Sequence, residues 1–238
     1  KIFENAKHCL FNYDDNMLRE KVHNSNLDLT PFSITKEKGN YFLDKNKICS
    51  NDYSMSLNID KISLKGIHNI SNIILATEIA NKVGIKKDNI CKAISEFEGL
   101  EHRFECFYSK NGIDFINDSK STNIDSAIKA IESISKKIIL ILGGIAKEDD
   151  FSEILFFKKK ILKIIVYGES RDKIHDSLSK EIEIEKIEKF QDAVQIAAKS
   201  AIESSVVLLS PACSSFDQFD NYEQRGIKFK KIIERFYA

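Results

Sequence analysis

The chain has 238 residues with 36 Lys and Arg against 36 Asp and Glu, so no overall charge favours nucleic acid or an anionic membrane as a partner. No apolar run approaches the ~20 residues of a membrane span, and residues 1–7 lack the apolar core of a signal peptide. Five scattered cysteines without C-x-x-C spacing argue against a disulfide framework and a zinc site. These features predict a cytoplasmic protein with reduced thiols, and the length favours two domains.

Residues 1–64 carry short apolar runs that predict strands at the edge of a sheet. The run at 8–11 would deliver Asp14 and Asp15 to a loop. Half-exposed antiparallel strands are predicted at 41–43, 47–49 and over the alternating stretch 55–64. Two acids at a strand end are usually solvated turn residues, and they do not form a complete magnesium ligand set. We therefore assign no metal ligand in the chain.

From Gly66 onward the pattern becomes helical. Apolar residues recur at helical spacing over 70–83 and stop at Gly84. Asp88 is expected to cap a second helix, and Gly99 then permits a turn. We place a domain boundary at that turn, which gives domains at 1–99 and 100–238.

Residues 102–238 alternate between strand and helix patterns. Asn111-Gly112 predicts a hairpin between strands at 104–108 and 113–116. Further strands are predicted at 138–142, 161–167, 182–187 and 205–209, and helices at 123–133, 151–159, 171–178, 191–203 and 222–236. This alternation predicts an α/β fold with a mostly parallel, doubly wound sheet. Such sheets bind ligands at the carboxyl ends of their strands, so a site is expected at residues 210–215.

Two loops of this sheet could bind an anion. Lys120 and Thr122 precede a helix, where an ammonium, a hydroxyl and backbone N–H groups could converge on a carboxylate or phosphate. Alternatively, Ser119, Thr122 or Asn123 caps the helix and Lys120 is solvated. In the other loop, the double glycine at 143–144 would let the chain approach a ligand beside Lys147, although it could also be a plain turn.

The last loop offers a hydroxyl and two aromatic rings. Ser215 could donate to a carboxylate, while Phe216 and Tyr222 could form the wall of a pocket. Aromatic residues at these positions could equally pack into the core.

Other residues could contact a nucleotide. Asp118 could accept hydrogen bonds from ribose hydroxyls or cap a turn. Arg103 could reach a polyphosphate or form a surface ion pair. Asn69 and Asn72 could face an adenine or cap the first helix. The role of His68 stays open.

Three motifs carry a family resemblance: GLEHRFE at 99–105, NDSKSTN at 117–123 and SPACSSFDQFDNYEQRG at 210–226. Together they resemble the C-terminal portion of the Mur ligases that add D-glutamate in peptidoglycan synthesis. The resemblance implies ATP-dependent joining of D-glutamate to UDP-N-acetylmuramoyl-L-alanine through an acyl phosphate. It also implies that 1–99 is the C-terminal part of a central ATP-binding domain and that 100–238 is a Rossmann-like amino-acid-binding domain. We expect a monomer whose partners are small molecules.

The resemblance also implies roles for individual residues. Those implied to bind D-glutamate are Lys120, Thr122, Lys147, Ser215, Phe216 and Tyr222. Those implied to contact ATP are Asn69, Asn72, Arg103 and Asp118. Two positions depart from the family pattern, because Ala146 stands where a glycine is expected and Phe216 is bulkier than the expected leucine. We predict no side-chain nucleophile, so neither Cys213 nor Ser214 should form a covalent intermediate.

No G-x-x-x-x-G-K-[ST] phosphate loop occurs in the 238 residues. The resemblance implies that this loop and the Mg²⁺ ligands lie upstream of Lys1, and the chain alone is then expected to bind ligands weakly without turnover. Two alternatives stay open. One is another amide ligase of the folylpolyglutamate synthetase type, which should lack SPACSSFDQF beside NDSKSTN. The other is a non-catalytic module that binds a nucleotide or an amino acid.

Overall fold

The computed structural model describes residues 6, 8–23, 27–35, 40–51, 55–64, 66–147 and 150–238. The chain divides into two compact units, Lys1–Glu98 and Gly99–Ala238. No helix within the described ranges is long and apolar enough to cross a bilayer.

The first unit combines two small sheets with three helices. Strands β1 (His8–Asn12) and β2 (Asp28–Phe32) pair in parallel, and helix α1 (Asn16–His23) lies between them in chain order. An antiparallel sheet follows, formed by β3 (Tyr41–Asp44), β4 (Lys47–Ser50) and β5 (Ser56–Asn58). Helices α2 (Ile67–Lys82) and α3 (Lys87–Glu96) complete the unit. One buried cluster, which includes Ile48, Ile74 and Ile90, joins this sheet to both helices.

Several boundaries in this unit differ from the sequence predictions. The predicted strand at 55–64 ends at Asn58, whose side chain accepts the Asp60 N–H and starts a 3-10 turn at Ile59–Lys61. Helix α2 begins at Ile67, three residues early, directly after Gly66 at φ 94°. Asp88 is not the cap of α3, because the helix begins after Lys86; Asp88 instead lies in the first turn, where the helix dipole favours a carboxylate.

The second unit is built on one six-stranded sheet. Its strands are β6 (Glu105–Lys110), β7 (Ile113–Asn117), β8 (Lys137–Gly143), β9 (Ile161–Tyr167), β10 (Ile184–Ile187) and β11 (Ser205–Leu209). The order across the sheet is β10-β9-β8-β11-β7-β6, and only β6 is antiparallel to its neighbour. Asn111 and Gly112 join β6 to β7 with positive φ angles of 53° and 75°, as a two-residue hairpin turn requires. The predicted mostly parallel α/β sheet is confirmed.

Helices cover both faces of this sheet. Helices α4 (Ile124–Glu132) and α5 (Arg171–Leu178) pack on one face, and α6 (Phe190–Ser200) and α7 (Tyr222–Phe236) pack on the other. The predicted helix at 151–159 is a 3-10 helix, Ser152–Phe157, because the buried side chains Phe151 and Ile154 align one above the other at 3-10 spacing.

Strand β11 lies between β7 and β8, and this order creates a crevice. The chain leaves β7 and β8 toward the α4 face but leaves β11 toward the α7 face. The loops therefore separate at the carboxyl ends of these three strands, which is where open α/β sheets bind ligands. Every residue of β11 is buried, as its uninterrupted apolar run predicts.

Candidate functional site

Backbone hydrogen bonds join the three loops that follow β7, β8 and β11. The Asp118 N–H donates to the Leu209 carbonyl at 2.8 Å, and the Gly143 N–H donates to the Pro211 carbonyl at 3.0 Å. Ile145 and Ser214 exchange two bonds of 3.0 Å, which form a short antiparallel bridge. The loop that carries Lys147 is thus fixed against the loop that carries Ser215.

Gly143 and Gly144 make this close approach possible. A Cβ atom at Gly143 would lie less than 3.0 Å from the Tyr167 carbonyl, and one at Gly144 less than 3.0 Å from the Ser214 carbonyl. Their φ angles of 138° and 122° are also unfavourable for other residues. The double glycine therefore packs one loop against its neighbours, a role that the sequence does not reveal.

Lys120 and Tyr222 lie together at the same edge. The Lys120 ammonium is 4.0 Å from the centre of the Tyr222 ring, which is a cation–π contact. The Ser119 hydroxyl donates to the Tyr222 carbonyl at 2.8 Å, and the Lys120 N–H donates to the His102 carbonyl at 3.0 Å. Two of the predicted amino-acid contacts are thus adjacent.

Asn123 provides the cap of helix α4. Its side-chain oxygen accepts the Ser126 N–H at 2.9 Å. The half-buried Thr122 is therefore not the cap residue of this helix.

Of the residues implied to bind D-glutamate, Ser215 is buried at 2% exposure, Lys147 is exposed, and Phe216 is 69% exposed beside the crevice.

Asp118 is a buried carboxylate with two internal partners. It is 9% exposed; one oxygen accepts the Phe104 N–H at 3.1 Å and the other accepts the Ser210 hydroxyl at 2.8 Å. Burial raises the pKa of Asp118 to about 6, against the opposing effect of these bonds and of the Arg103 and Arg225 charges. Each oxygen keeps a second lone pair, so the carboxylate can still accept a bond from a ligand hydroxyl.

Arg103 is exposed and lies on a strained turn. Its neighbours His102 and Phe104 have positive φ angles of 65° and 49°, which are uncommon for non-glycine residues. The positive charge of Arg103 also lowers the pKa of Asp118, against the effect of burial. Two of the residues implied to contact ATP are therefore electrostatically coupled within the second unit.

His102 is a structural element of the site that the sequence did not reveal. Its ring is buried, and Asn117 donates its amide N–H to Nδ1 at 2.9 Å. A Cβ at Gly226 would lie less than 3.0 Å from this ring, which explains the glycine in helix α7.

Arg225 is a second element that the sequence analysis missed. It is 0% exposed, and its guanidinium donates to Ser119, Gly143, Tyr167 and Cys213. A signal was available, because Arg225 shares the helical phase of the core residues Phe229 and Ile232 in α7. An arginine on the apolar face of a helix indicates a specific buried partner.

The two asparagines implied to contact ATP lie in the first unit. Helix α2 begins at Ile67 after Gly66, so Asn69 and Asn72 lie within the helix and neither is its N-cap. Asn72 borders a cavity of about 350 Å³. The other lining residues are apolar: Leu64, Ile73, Ala76, Ala93, Ile94 and Phe97. The side chain of His68 lies outside the described residues.

The acidic pair near the start of the first unit has local partners. Asp14 accepts bonds from the Ser33 hydroxyl and the Ile34 N–H, at 2.7 and 3.0 Å. Asp15 accepts the Leu18 N–H at the start of α1. Among the described residues, no group of three or more His, Cys, Asp or Glu is placed to hold a metal ion.

Part of the candidate site, including Arg103, Asp118, Lys120 and Lys147, lies in a stretch that matches a known domain family. Residues 102–213 match the family model described as "Mur ligase, glutamate ligase domain". The match covers most of the second unit.

Nearly the whole chain is similar to UDP-N-acetylmuramoylalanine–D-glutamate ligases. It is 37% identical over 231 residues to the UDP-N-acetylmuramoylalanine–D-glutamate ligase of Bacteroides fragilis, which covers 94% of this chain and 52% of that protein. The chain thus spans about half the length of the curated relatives it matches. The family resemblance predicted from its motifs is confirmed.

Solved structures show the same fold. The UDP-N-acetylmuramate-alanine ligase MurC of Thermotoga maritima superposes with a TM-score of 0.71 at 19% identity, over 100% of this chain and 53% of that one. MurF ligase from Thermotoga maritima, solved in complex with ADP, gives a TM-score of 0.66 at 17% identity, over 96% and 54% of the two chains.

Proposed function

We propose that the full-length protein is an ATP-dependent ligase that joins D-glutamate to UDP-N-acetylmuramoyl-L-alanine in peptidoglycan synthesis. One observation carries the proposal. The loops after β7, β8 and β11, with Lys120, Lys147 and Ser215, are bonded to one another at a single sheet edge. The similarity of the chain to D-glutamate ligases supports the choice of amino acid.

The proposed ligation needs cationic groups that hold the substrates, and it needs no nucleophilic side chain of the enzyme. Transfer of the γ-phosphoryl group of ATP to the substrate carboxylate gives an acyl phosphate and ADP. The D-glutamate amine then attacks the acyl carbon, the new C–N bond forms, and phosphate leaves with the former carboxylate oxygen. Cys213 is completely buried, which supports a reaction without a covalent enzyme intermediate.

The residues of the second unit would bind and orient D-glutamate. Lys120, Thr122, Lys147 and Ser215 are proposed to hold its carboxylates, and Tyr222 and Phe216 to form the wall. Orientation of an amine beside an activated acyl group can contribute ~7 to 11 kcal/mol to the lowering of the barrier. The cation–π contact of Lys120 with Tyr222 supports this role, because it fixes the ammonium at the site edge.

We assign the ATP contacts to two groups of residues. In the first unit, the apolar cavity beside Asn72 is suited to a flat heterocycle, and Asn72 and Asn69 supply amide groups. In the second unit, Arg103 would contact phosphate and Asp118 a ribose hydroxyl. We assign no Mg²⁺ ligand; within the described ranges, no three or more His, Cys, Asp or Glu residues are grouped to hold a metal ion. The proposal also takes the protein to be a cytoplasmic monomer.

Amino-acid-dependent phosphate release by the full-length protein tests this function. With ATP, Mg²⁺ and UDP-N-acetylmuramoyl-L-alanine, we expect turnover with D-glutamate and none above background with L-glutamate or meso-diaminopimelate. Turnover with one of the other two amino acids instead would identify a different amide ligase. Binding of D-glutamate without phosphate release would identify a non-catalytic module.

A further inference from the structure

Arg225 carries a buried charge that forms no salt bridge with any described residue. It lies in the first turn of α7 at 0% exposure. Within the described residues, every hydrogen bond of its guanidinium goes to a neutral oxygen. Burying a cation is costly unless its donors are satisfied, and here the five N–H groups have six contacts.

The acceptors come from the ends of four neighbouring strands. Nε donates to the Ser119 hydroxyl at 2.9 Å, and one terminal nitrogen donates to the Ser119 carbonyl at 2.8 Å. Both terminal nitrogens lie 3.1 Å from the Cys213 carbonyl. The remaining contacts are with the Tyr167 hydroxyl at 3.2 Å and the Gly143 carbonyl at 3.5 Å. One side chain thus links the ends of β7, β8, β9 and β11.

The residues that we propose to hold D-glutamate follow these acceptors closely. Lys120 comes directly after Ser119, and Ser215 lies two positions after Cys213. We propose that Arg225 is the positioning residue of the amino-acid site, since its planar fork sets the spacing of these loops and its charge favours an amino acid with two carboxylates. This inference rests on the proposed function.

Only arginine meets both requirements. A lysine ammonium has three donors on a flexible stem, so it cannot bind Ser119 and Cys213 in one plane. An apolar side chain would remove the guanidinium donors from the Ser119 and Cys213 carbonyls. The positive charge of Arg225 also stabilises the ionised form of Asp118 and so lowers the pKa of that carboxyl. A chain with no net charge needs such local cations to attract an anionic substrate.

Kinetics of the full-length protein test the inference. Arg225→Lys and Arg225→Met should each raise the KM for D-glutamate about ten- to hundredfold, the loss expected for one or two charge-assisted hydrogen bonds. The KM for ATP should change less than about threefold, because, among the described residues, none of the hydrogen bonds of Arg225 goes to Asp118 or Arg103, the ATP contacts that we assign in the second unit. Arg235→Lys and Arg235→Met, at an exposed position of the same helix, should stay within about twofold.

Chemical rescue separates positioning from folding. In Arg225→Ala, guanidinium chloride at tens of millimolar should lower the KM for D-glutamate toward the wild-type value, and sodium chloride at equal ionic strength should not. Circular dichroism reports whether each variant is folded. If the Arg225 variants do not fold, the test uses Ser119→Ala and Tyr167→Phe, each of which removes one acceptor of Arg225. Each should raise the KM for D-glutamate two- to fivefold, because one hydrogen bond contributes about 1 kcal/mol.

Three results would each overturn the inference while the proposed function stands. The first is a D-glutamate KM for Arg225→Lys and Arg225→Met within twofold of wild type. The second is an equal rise in the KM values for D-glutamate and ATP. The third applies if the Arg225 variants do not fold, and it is an unchanged D-glutamate KM in Ser119→Ala and Tyr167→Phe. Wild-type protein without D-glutamate-dependent phosphate release would instead refute the proposed function and, with it, this inference.

Discussion

The two units of the chain present opposite kinds of surface. At the second sheet, two buried charged groups are satisfied by polar neighbours: Asp118 accepts from Ser210, and Arg225 donates to four strand ends. In the first unit, the cavity beside Asn72 is lined otherwise by apolar side chains. The contrast indicates how each site can discriminate. Charged groups held in a fixed network select a small anion, whereas an apolar wall with amides accepts a flat ring.

The contrast also predicts where substitutions matter. In the second unit, a new Cβ or a lost charge disturbs several loops together, because each loop is bonded to the next. In the first unit, the loss of one amide leaves the apolar wall intact. We therefore expect large, substrate-specific effects in the second unit and small effects in the first.

The largest effect should come from Gly144→Ala. The new Cβ would clash with the Ser214 carbonyl, so the loop of Lys147 must move away from the loop of Ser215. Displacing reactive groups by about 1 Å can cost about a hundredfold in rate, and we expect at least that loss of D-glutamate-dependent phosphate release. Strain and overpacking should also lower the free energy of unfolding by about 3 kcal/mol.

Gly84→Ala is the matched control in the first unit. Gly84 also has a positive φ, of 82°, but nothing lies within 4 Å of an added Cβ. It should cost only about 1 kcal/mol of stability and leave the activity unchanged. Equal losses of activity in both variants would show that backbone strain, and not the contact between loops, determines the phenotype.

Lys120→Ala should have the next largest effect. Removing the ammonium above the Tyr222 ring should raise the KM for D-glutamate about ten- to hundredfold, with a change in the KM for ATP of less than about threefold. Steady-state kinetics of the full-length protein measure both constants. Lys129→Ala, at an exposed position of α4, is the control, and an unchanged D-glutamate KM in Lys120→Ala would contradict the assignment.

Asp118→Asn should change how stability depends on pH. The pKa of Asp118 is raised from 3.8 to about 6 on folding, so the folded state binds more protons between these values and wild-type stability falls as pH rises from about 4 to about 6. The full penalty above pH 6 is on the order of 2–3 kcal/mol. Asparagine has no such penalty, so its stability relative to wild type should be greater at pH 8 than at pH 4.

Urea unfolding followed by circular dichroism measures this difference. The amide can still accept the Phe104 N–H, so the fold should be retained. A stability difference between the two proteins that is the same at pH 4 and pH 8 would mean that Asp118 does not titrate as its burial requires.

Asn72→Ala should have the smallest effect. The amide borders an apolar cavity that remains in place, so the KM for ATP should rise only about three- to tenfold and the KM for D-glutamate should not change. Asn81→Ala, at an exposed position of the same helix, is the control. An equal rise in the KM for D-glutamate would contradict the assignment of Asn72 to ATP and of D-glutamate binding to the second unit.

Periodicity was sufficient to predict the main sheet. The apolar runs of β8, β9 and β11 predict buried parallel strands, and Asn111-Gly112 predicts the turn, because these signals are local. Helix α1 and strand β2 were not predicted: α1 has only eight residues, and Pro31 within β2 weakens a strand signal. The limits of the helices also depend on contacts that no local pattern contains.

The candidate site could be predicted only in part. The polar residues after β7 and β11 were located because the ends of parallel strands share one edge of a sheet. The network around Arg225 could not be derived, because it joins Ser119 to Cys213, which lie 94 positions apart in the sequence. The reasons for Gly143, Gly144 and Gly226 likewise appear only when their neighbours in space are known.

A crystal structure of the full-length protein with bound D-glutamate tests the central claim most directly. The account predicts that the Lys120 ammonium and at least one of the Lys147 ammonium and the Ser215 hydroxyl lie within ~3 Å of the carboxylate oxygens of one D-glutamate molecule. D-glutamate bound at a different place, with Lys120 and Lys147 both facing solvent, would contradict it.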